Sequence, residues 1–173
     1  MRFLIFFLAF SLAQAQIVTV HAVCGTGLNR VAAYSNGILI DDELVLAVAH
    51  ALPFGGERIT VNGRHAKVLC LDDLALLSVP GLRGKKLNIA DHFSVKEGSA
   101  VHRYFDFGDH RIESRDVTWS TDSYIRNPVS EGMSGSGVYN EKGELVAVVE
   151  RLNGMCWDTL TIFGFLEKHG FLR

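Results

Sequence analysis

EGMSGSGVYNEKGELVAV, Glu131 to Val148, sets one serine, Ser134, between Gly132 and Gly135 and follows it with the pattern of a hairpin. A serine hydroxyl is a weak nucleophile near neutral pH. It reacts only when it is exposed, close to a base, and beside donors that stabilise the oxyanion it creates. Lacking Cβ atoms, Gly132 and Gly135 permit tight positive-φ conformations that bring the backbone N–H groups of Gly132 and Ser134 toward one point, a candidate oxyanion hole. Val138-Tyr139, then Asn140 to Gly143, then Glu144 to Val148 read as strand, turn and strand. Alone, the glycine-serine run reads equally well as a flexible turn. The rest of the chain separates the two readings.

His50 ends an apolar run, Leu44 to Leu52, and Asp73 opens another, Asp73-Leu-Ala-Leu-Leu77. A serine nucleophile, a histidine base and an orienting carboxylate are what acyl transfer needs, and here they come in the order His, Asp, Ser. On these residues the chain resembles the chymotrypsin-like (trypsin-fold) serine proteases, in particular the compact bacterial branch that includes the high-temperature-requirement and glutamyl endopeptidases. Ser134 in GMSGSG matches that family's G-x-S-G-G-P loop, and Gly143 with ELVAV matches its turn and next strand. His50 in AVAHAL matches A-A-H or N-A-H, led by the glycine-first strand Gly37 to Asp41, and Asp73 matches D-[IL]-A-L-[LI]. The likeness runs from about Asn36 to Val148.

There are two departures from the pattern. Ser136 and Gly137 stand where the family usually has Gly and Pro, and Met133 stands where chymotrypsin has the aspartate that pairs with a newly cut N-terminus. Activation by that ion pair is not available to this chain. The resemblance implies an all-β fold of two six-stranded antiparallel β-barrels with a short C-terminal helix, the first barrel (16–82) carrying His50 and Asp73 and the second (83–173) carrying Ser134. It also implies a primary specificity pocket near Pro128, Val149, Glu150 and Arg151. Pro128 takes the position where trypsin has its aspartate, so no strong preference for Lys or Arg is expected; Glu150 or Arg151 could add charge.

Met1 to Ala15 reads as a signal peptide: Arg2, an apolar core from Phe3 to Leu12, and a small-x-small site at Ala13-Gln14-Ala15. The core is too short to span a bilayer, so cleavage after Ala15 and a secreted or periplasmic product without stable membrane insertion are expected. Seventeen Lys and Arg against nineteen Asp and Glu, a net charge of −2, argue against a nucleic-acid partner, because no long basic run is present. The expected partner is a peptide or protein substrate. Cys24, Cys70 and Cys156 allow one bridge and a free thiol, or no bridge; the reading here is no essential disulfide. The other histidines lack H-x-H or H-E-x-x-H spacing, so neither a metal nor any other cofactor is expected.

Between the motifs lie short, β-branched or aliphatic segments: 17–23, 30–35, 37–40, 44–48, 59–62, 65–71 and 74–79, then 98–105 and 111–120 around a hairpin at Gly108-Asp109. Pro80 to Gly84 is the expected linker, Tyr124-Ile125 leads into the serine loop, and 163–169 is the expected terminal helix. Strands without intervening helices argue for barrels or sandwiches, not a parallel α/β sheet. In the mechanism these residues imply, His50 takes the Ser134 proton, Asp73 holds the ring, and the N–H groups of Gly132 and Ser134 receive the oxyanion. Asp72 adjoins Asp73, but adjacent strand residues face opposite ways and the motif selects Asp73. An α/β-hydrolase esterase is excluded: it needs G-x-S-x-G before a helix and the histidine after the serine. The remaining alternative is a catalytically inactive protease-like binding module.

Overall fold

The computed structural model describes residues 16–52, 58–90, 97–106, 109–118, 132–150 and 154–171. The expected signal peptide, the break at Pro53 to Gly56, Tyr124-Ile125, Pro128 and Arg151 lie outside them.

Six antiparallel strands close a barrel in the order β1-β2-β3-β6-β5-β4: β1 (Ile17–Cys24), β2 (Val31–Asp41), β3 (Leu44–Val48), β4 (Arg58–Val61), β5 (Arg64–Leu71) and β6 (Leu74–Ser78). Their burial follows from sequence in two ways. β5 alternates exposed and half-buried residues, the period-two pattern of a strand with one wet face. β3 and β6 are apolar at almost every position, and both faces of each are covered. On β3, Val45 and Ala47 point into the barrel while Leu46 and Val48 point out of it; on β6, Ala75 and Leu77 point in and Leu74 and Leu76 out.

The outward residues, with Ile38 and Ile40 of β2, meet a second layer. This is a sheet whose described strands run β11-β10-β9-β7-β8: β7 (Glu97–Asp106), β8 (Asp109–Thr118), β9 (Gly137–Tyr139), β10 (Leu145–Val149) and β11 (Cys156–Asp158). Tyr139, Leu145 and Val148 from this sheet, and Ile162, Phe165 and Leu166 from helix α1 (Thr159–Lys168), complete a cluster shared by both halves. Each fully buried Leu or Ile there contributes about 1.5–3 kcal/mol, so the two halves are held by the same apolar bulk that fills a single core. The expected all-β fold with a barrel and a short C-terminal helix is present; closure of the second sheet into a six-stranded barrel lies outside the described residues.

Three boundaries differ from expectation. The two strands expected at 30–35 and 37–40 are one, because Asn36 and Gly37 stay in register with Thr19 and Val18. Gly37 serves packing there: a Cβ would lie 2.8 Å from the side chains of Val20 and Val45. The hairpin expected at Gly108-Asp109 joins β7 to β8, but β8 begins at Asp109, which pairs with Asp106, two residues before the expected 111. Helix α1 starts at Thr159, four residues before the expected 163, because the Asp158 side chain caps it, accepting from the Thr161 backbone N–H at 2.9 Å. At Asn62-Gly63, φ values of 48° and 77° make the two-residue turn that joins β4 to β5. The connection after β6 is pinned by Asp42 and Glu43, whose side chains accept from the backbone N–H groups of Gly84 and Gly81. Cys24, Cys70 and Cys156 form no disulfide; the Cys156 thiol donates to the Gly154 carbonyl at 3.3 Å, and burial pushes the Cys70 thiol up.

The end of α1 is tied to the barrel across nearly a hundred residues. Lys168 Nζ donates to Asp72 Oδ2 at 2.7 Å, and His169 Nε2 lies 2.9 Å from the same oxygen. The hydrogen bond from Lys168, then that from His169, holds the Asp72 carboxyl below its ordinary range. A depressed carboxylate stabilises the fold above its unfolded pKa and loses that contribution as pH falls. Asp72→Asn is therefore expected to lower the thermal midpoint at neutral pH, with the gap closing as pH drops below about 4. A gap that persists in acid would refute the ion pair as its cause.

Candidate active site

His50 stands just beyond β3, in a single 3-10 turn, Ala49–Ala51, closed by the Leu52 N–H donating to the Ala49 carbonyl at 2.9 Å. Burial of Ala51 and Leu52 turns the chain inward and leaves the His50 side chain exposed. Asp73 stands just before β6. Val48 pairs with Leu74, and the Ala49 N–H donates to the Asp73 carbonyl at 3.1 Å, so His50 and Asp73 occupy the same end of one antiparallel strand pair. Asp72 faces Lys168 and His169, away from that role; it and Asp73 lie in the bend between β5 and β6, so this placement comes from the turn and not from the strand alternation expected.

The serine loop reaches this end of β3 from the other side. On β2, Ile38 pairs with Leu46, two residues before the end of β3, and Asn36 lies two residues earlier on β2. The Asn36 backbone N–H donates to the Ser134 carbonyl at 2.9 Å, and its side-chain Nδ2 donates to the carbonyls of Gly132 and Ser134. The loop thus docks on β2 beside the strand that leads to His50. Gly132 and Gly135 take φ values of 82° and 80°, the left-handed conformation their lack of Cβ permits.

Further bonds fix the loop's own shape. The Ser136 N–H donates to the Met133 carbonyl at 2.9 Å, which aims the Ser134 N–H of the same peptide plane the opposite way. The Gly135 N–H donates to the Val149 carbonyl at 2.8 Å, and Val149 returns a bond to Ser136 at 2.9 Å. No backbone carbonyl among the described residues takes the N–H of Gly132 or Ser134. Met133 is fully buried with Val138, Val146, Val149 and Cys156. Where chymotrypsin holds this loop by an ion pair, an apolar plug holds it here.

The side chains are placed as follows. The Ser134 hydroxyl, half-buried, donates to the Glu150 carbonyl at 2.9 Å. Asp73 is exposed, and its carboxylate takes no hydrogen bond or ion pair among the described residues. The backbones of His50, Asp73 and Ser134 therefore converge on the end of β3, while among the described residues neither the Ser134 hydroxyl nor the Asp73 carboxylate hydrogen-bonds to the ring. Of the expected pocket residues, Val149 is buried behind the loop and Glu150, 5% exposed, directly follows β10 with its N–H on the Met155 carbonyl. Asn36 was not among the sequence-derived candidates. Its only sequence cue is a polar residue inside an apolar strand, and that does not say what it meets.

No protein-family model and no curated protein sequence matches the chain. Solved structures do. The inactive form of Rv3671c from M. tuberculosis H37Rv, a serine-to-alanine mutant, matches with a TM-score of 0.73 at 21% identity, over 95% of this chain and 92% of that one. The active form of the Rv3671c protease matches at 0.71 and 20% identity, over 95% and 85%. The fold is accordingly the trypsin-like one.

Gly135 offers a direct check on the docking. A Cβ there would lie 1.9 Å from the Asn36 carbonyl oxygen, at a φ that side chains rarely adopt. Gly135→Ala is expected to destabilise the protein by at least ~2 kcal/mol in denaturant unfolding, because backbone strain and a backbone clash add. A neutral result would mean that the loop does not sit on β2 as described.

Proposed function

We propose that the chain is a serine-type endopeptidase of the compact bacterial, chymotrypsin-like kind, secreted or periplasmic after removal of residues 1–15. The observation that carries this reading is the meeting of three backbone sites at the end of β3: the turn bearing His50, the residue Asp73 beside it, and the Ser134 loop docked through Asn36. His50 takes the Ser134 proton as Oγ bonds to the substrate carbonyl carbon. The N–H groups of Gly132 and Ser134 then stabilise the oxyanion, at about 3 kcal/mol per donor. Collapse breaks the C–N bond, and His50 returns the proton to the leaving amine. Water then adds to the acyl carbonyl as His50 takes its proton, and collapse breaks the Oγ–C bond, releasing the carboxylic acid while His50 returns the proton to Ser134 Oγ. Asp73 orients the imidazole and stabilises its protonated form. Glu150 lies nearest the pocket for the residue before the scissile bond, with the buried Val149 supporting it from behind the loop.

The side-chain placement describes a resting form. Before attack, the Ser134 hydroxyl leaves the Glu150 carbonyl for the His50 ring, and the Asp73 carboxylate turns toward the ring's other nitrogen. Catalytic hydrogen bonds that tighten only on substrate binding are ordinary. The same placement favours one rival reading, a protease-like module that binds peptides without cutting them.

A fluorophosphonate separates the two. Endopeptidase chemistry predicts covalent modification at Ser134 and cleavage of a peptide library, with Ser134→Ala lowering turnover by at least ~10³-fold. Folded protein that neither labels nor cleaves would leave the binding module.

A further inference from the structure

We infer that Asn36 is a positioning residue for the oxyanion hole, acting from the barrel on a loop that belongs to the other half of the molecule; this rests on the proteolytic reading above. Asn36 is completely buried, an unusual place for a carboxamide on a strand otherwise apolar from Gly37 to Ile40. Burial of an amide is tolerated when its hydrogen bonds are made. Its Nδ2 donates to the Gly132 and Ser134 carbonyls, and its backbone N–H donates to Ser134 again.

Those two carbonyls bracket the peptide that matters. A backbone amide is planar, so fixing where a carbonyl points fixes where the N–H of its own plane points. Clamped Gly132 and Ser134 carbonyls on either side of Met133 leave the intervening plane little freedom to turn. That plane carries the Ser134 N–H, and its Met133 carbonyl is held in turn by Ser136. Without the carboxamide, the flanking planes are free to turn at Gly132 and Gly135, both at positive φ and both free of Cβ, and the plane between them, which rotates about Met133 ψ and Ser134 φ, loses its two fixed neighbours. The approach is close enough that Gly135 has no room for a Cβ beside the Asn36 carbonyl. Asn36 thus gives the loop, from outside, the rigidity that its glycines cannot.

A residue of this kind serves the transition state more than the ground state, because the oxyanion exists only after attack. The test uses the full mature chain and a fluorophosphonate, whose phosphoryl oxygen occupies the same hole. Wild type, Asn36→Ala, Asn36→Ser and Asn36→Asp are compared for labelling rate, for kcat and KM on one library-derived peptide, and for thermal midpoint. Asn36→Ala is expected to lower kcat and labelling about 10- to 100-fold with KM unchanged, less than loss of a donor itself. Asn36→Ser, keeping one donor, is expected to fall between. Asn36→Asp, equal in size but presenting acceptors to two carbonyls, is expected to lose at least as much as alanine. Should the alanine protein fail to fold, the serine and aspartate proteins carry the same comparison.

Variants that melt earlier yet label at the wild-type rate while folded would reduce Asn36 to a structural residue and overturn the inference. So would a loss confined to KM. Wild type that does not label at all would sink the proteolytic reading itself, an outcome distinct from equal labelling of wild type and variants.

Discussion

The whole molecule depends on β3, β6 and the Ser35–Ile40 part of β2 being buried on both faces. A barrel strand ordinarily hides one face and wets the other, as β5 does. Here Leu46, Val48, Leu74 and Leu76 on the outer face are as dry as Val45, Ala47, Ala75 and Leu77 on the inner one. Three adjacent strands thereby become a wall shared by two compartments, and the second sheet and α1 must cover it. Uncovered, it would be a contiguous apolar patch of the kind a soluble monomer does not tolerate.

That wall explains where chemistry can occur. Strands buried on both faces leave side chains free only beyond their ends, and the turn that follows β3 exposes His50 there. The ends of β3 and β6 and the docking edge of β2 lie together there, so groups from distant parts of the chain meet without any one segment holding them all. The Ser134 loop is secured there by different means at each side. Met133 anchors it in the apolar interior of the second sheet, and Asn36 holds its carbonyls from the barrel. Neither of these two contacts involves a charged group.

Much of this was legible along the chain because it is local. The apolar runs before His50 and after Asp73 mark strands whatever their neighbours, and the glycines around Ser134 have the positive φ values that their flanking position suggested. Other features needed contacts distant in sequence. The Asn36-Gly37 pair reads as a break, yet pairing with β1 carries the strand through it. Helix α1 begins early because Asp158, inconspicuous in a row of residues, is turned to cap it.

The sequence alone determined the residue types available for acyl transfer, their order, and an all-β scheme to carry them, because these rest on local periodicity and on the chemistry of single side chains. Tertiary structure alone decided which strands are dry on both sides, that Asp72 pairs with Lys168 and His169 at the end of α1, and that a buried asparagine grips the serine loop. The physical reason is the same in each case. Burial, hydrogen-bond partners and the direction of a peptide plane are properties of pairs brought together by folding, and one-dimensional spacing carries no record of them.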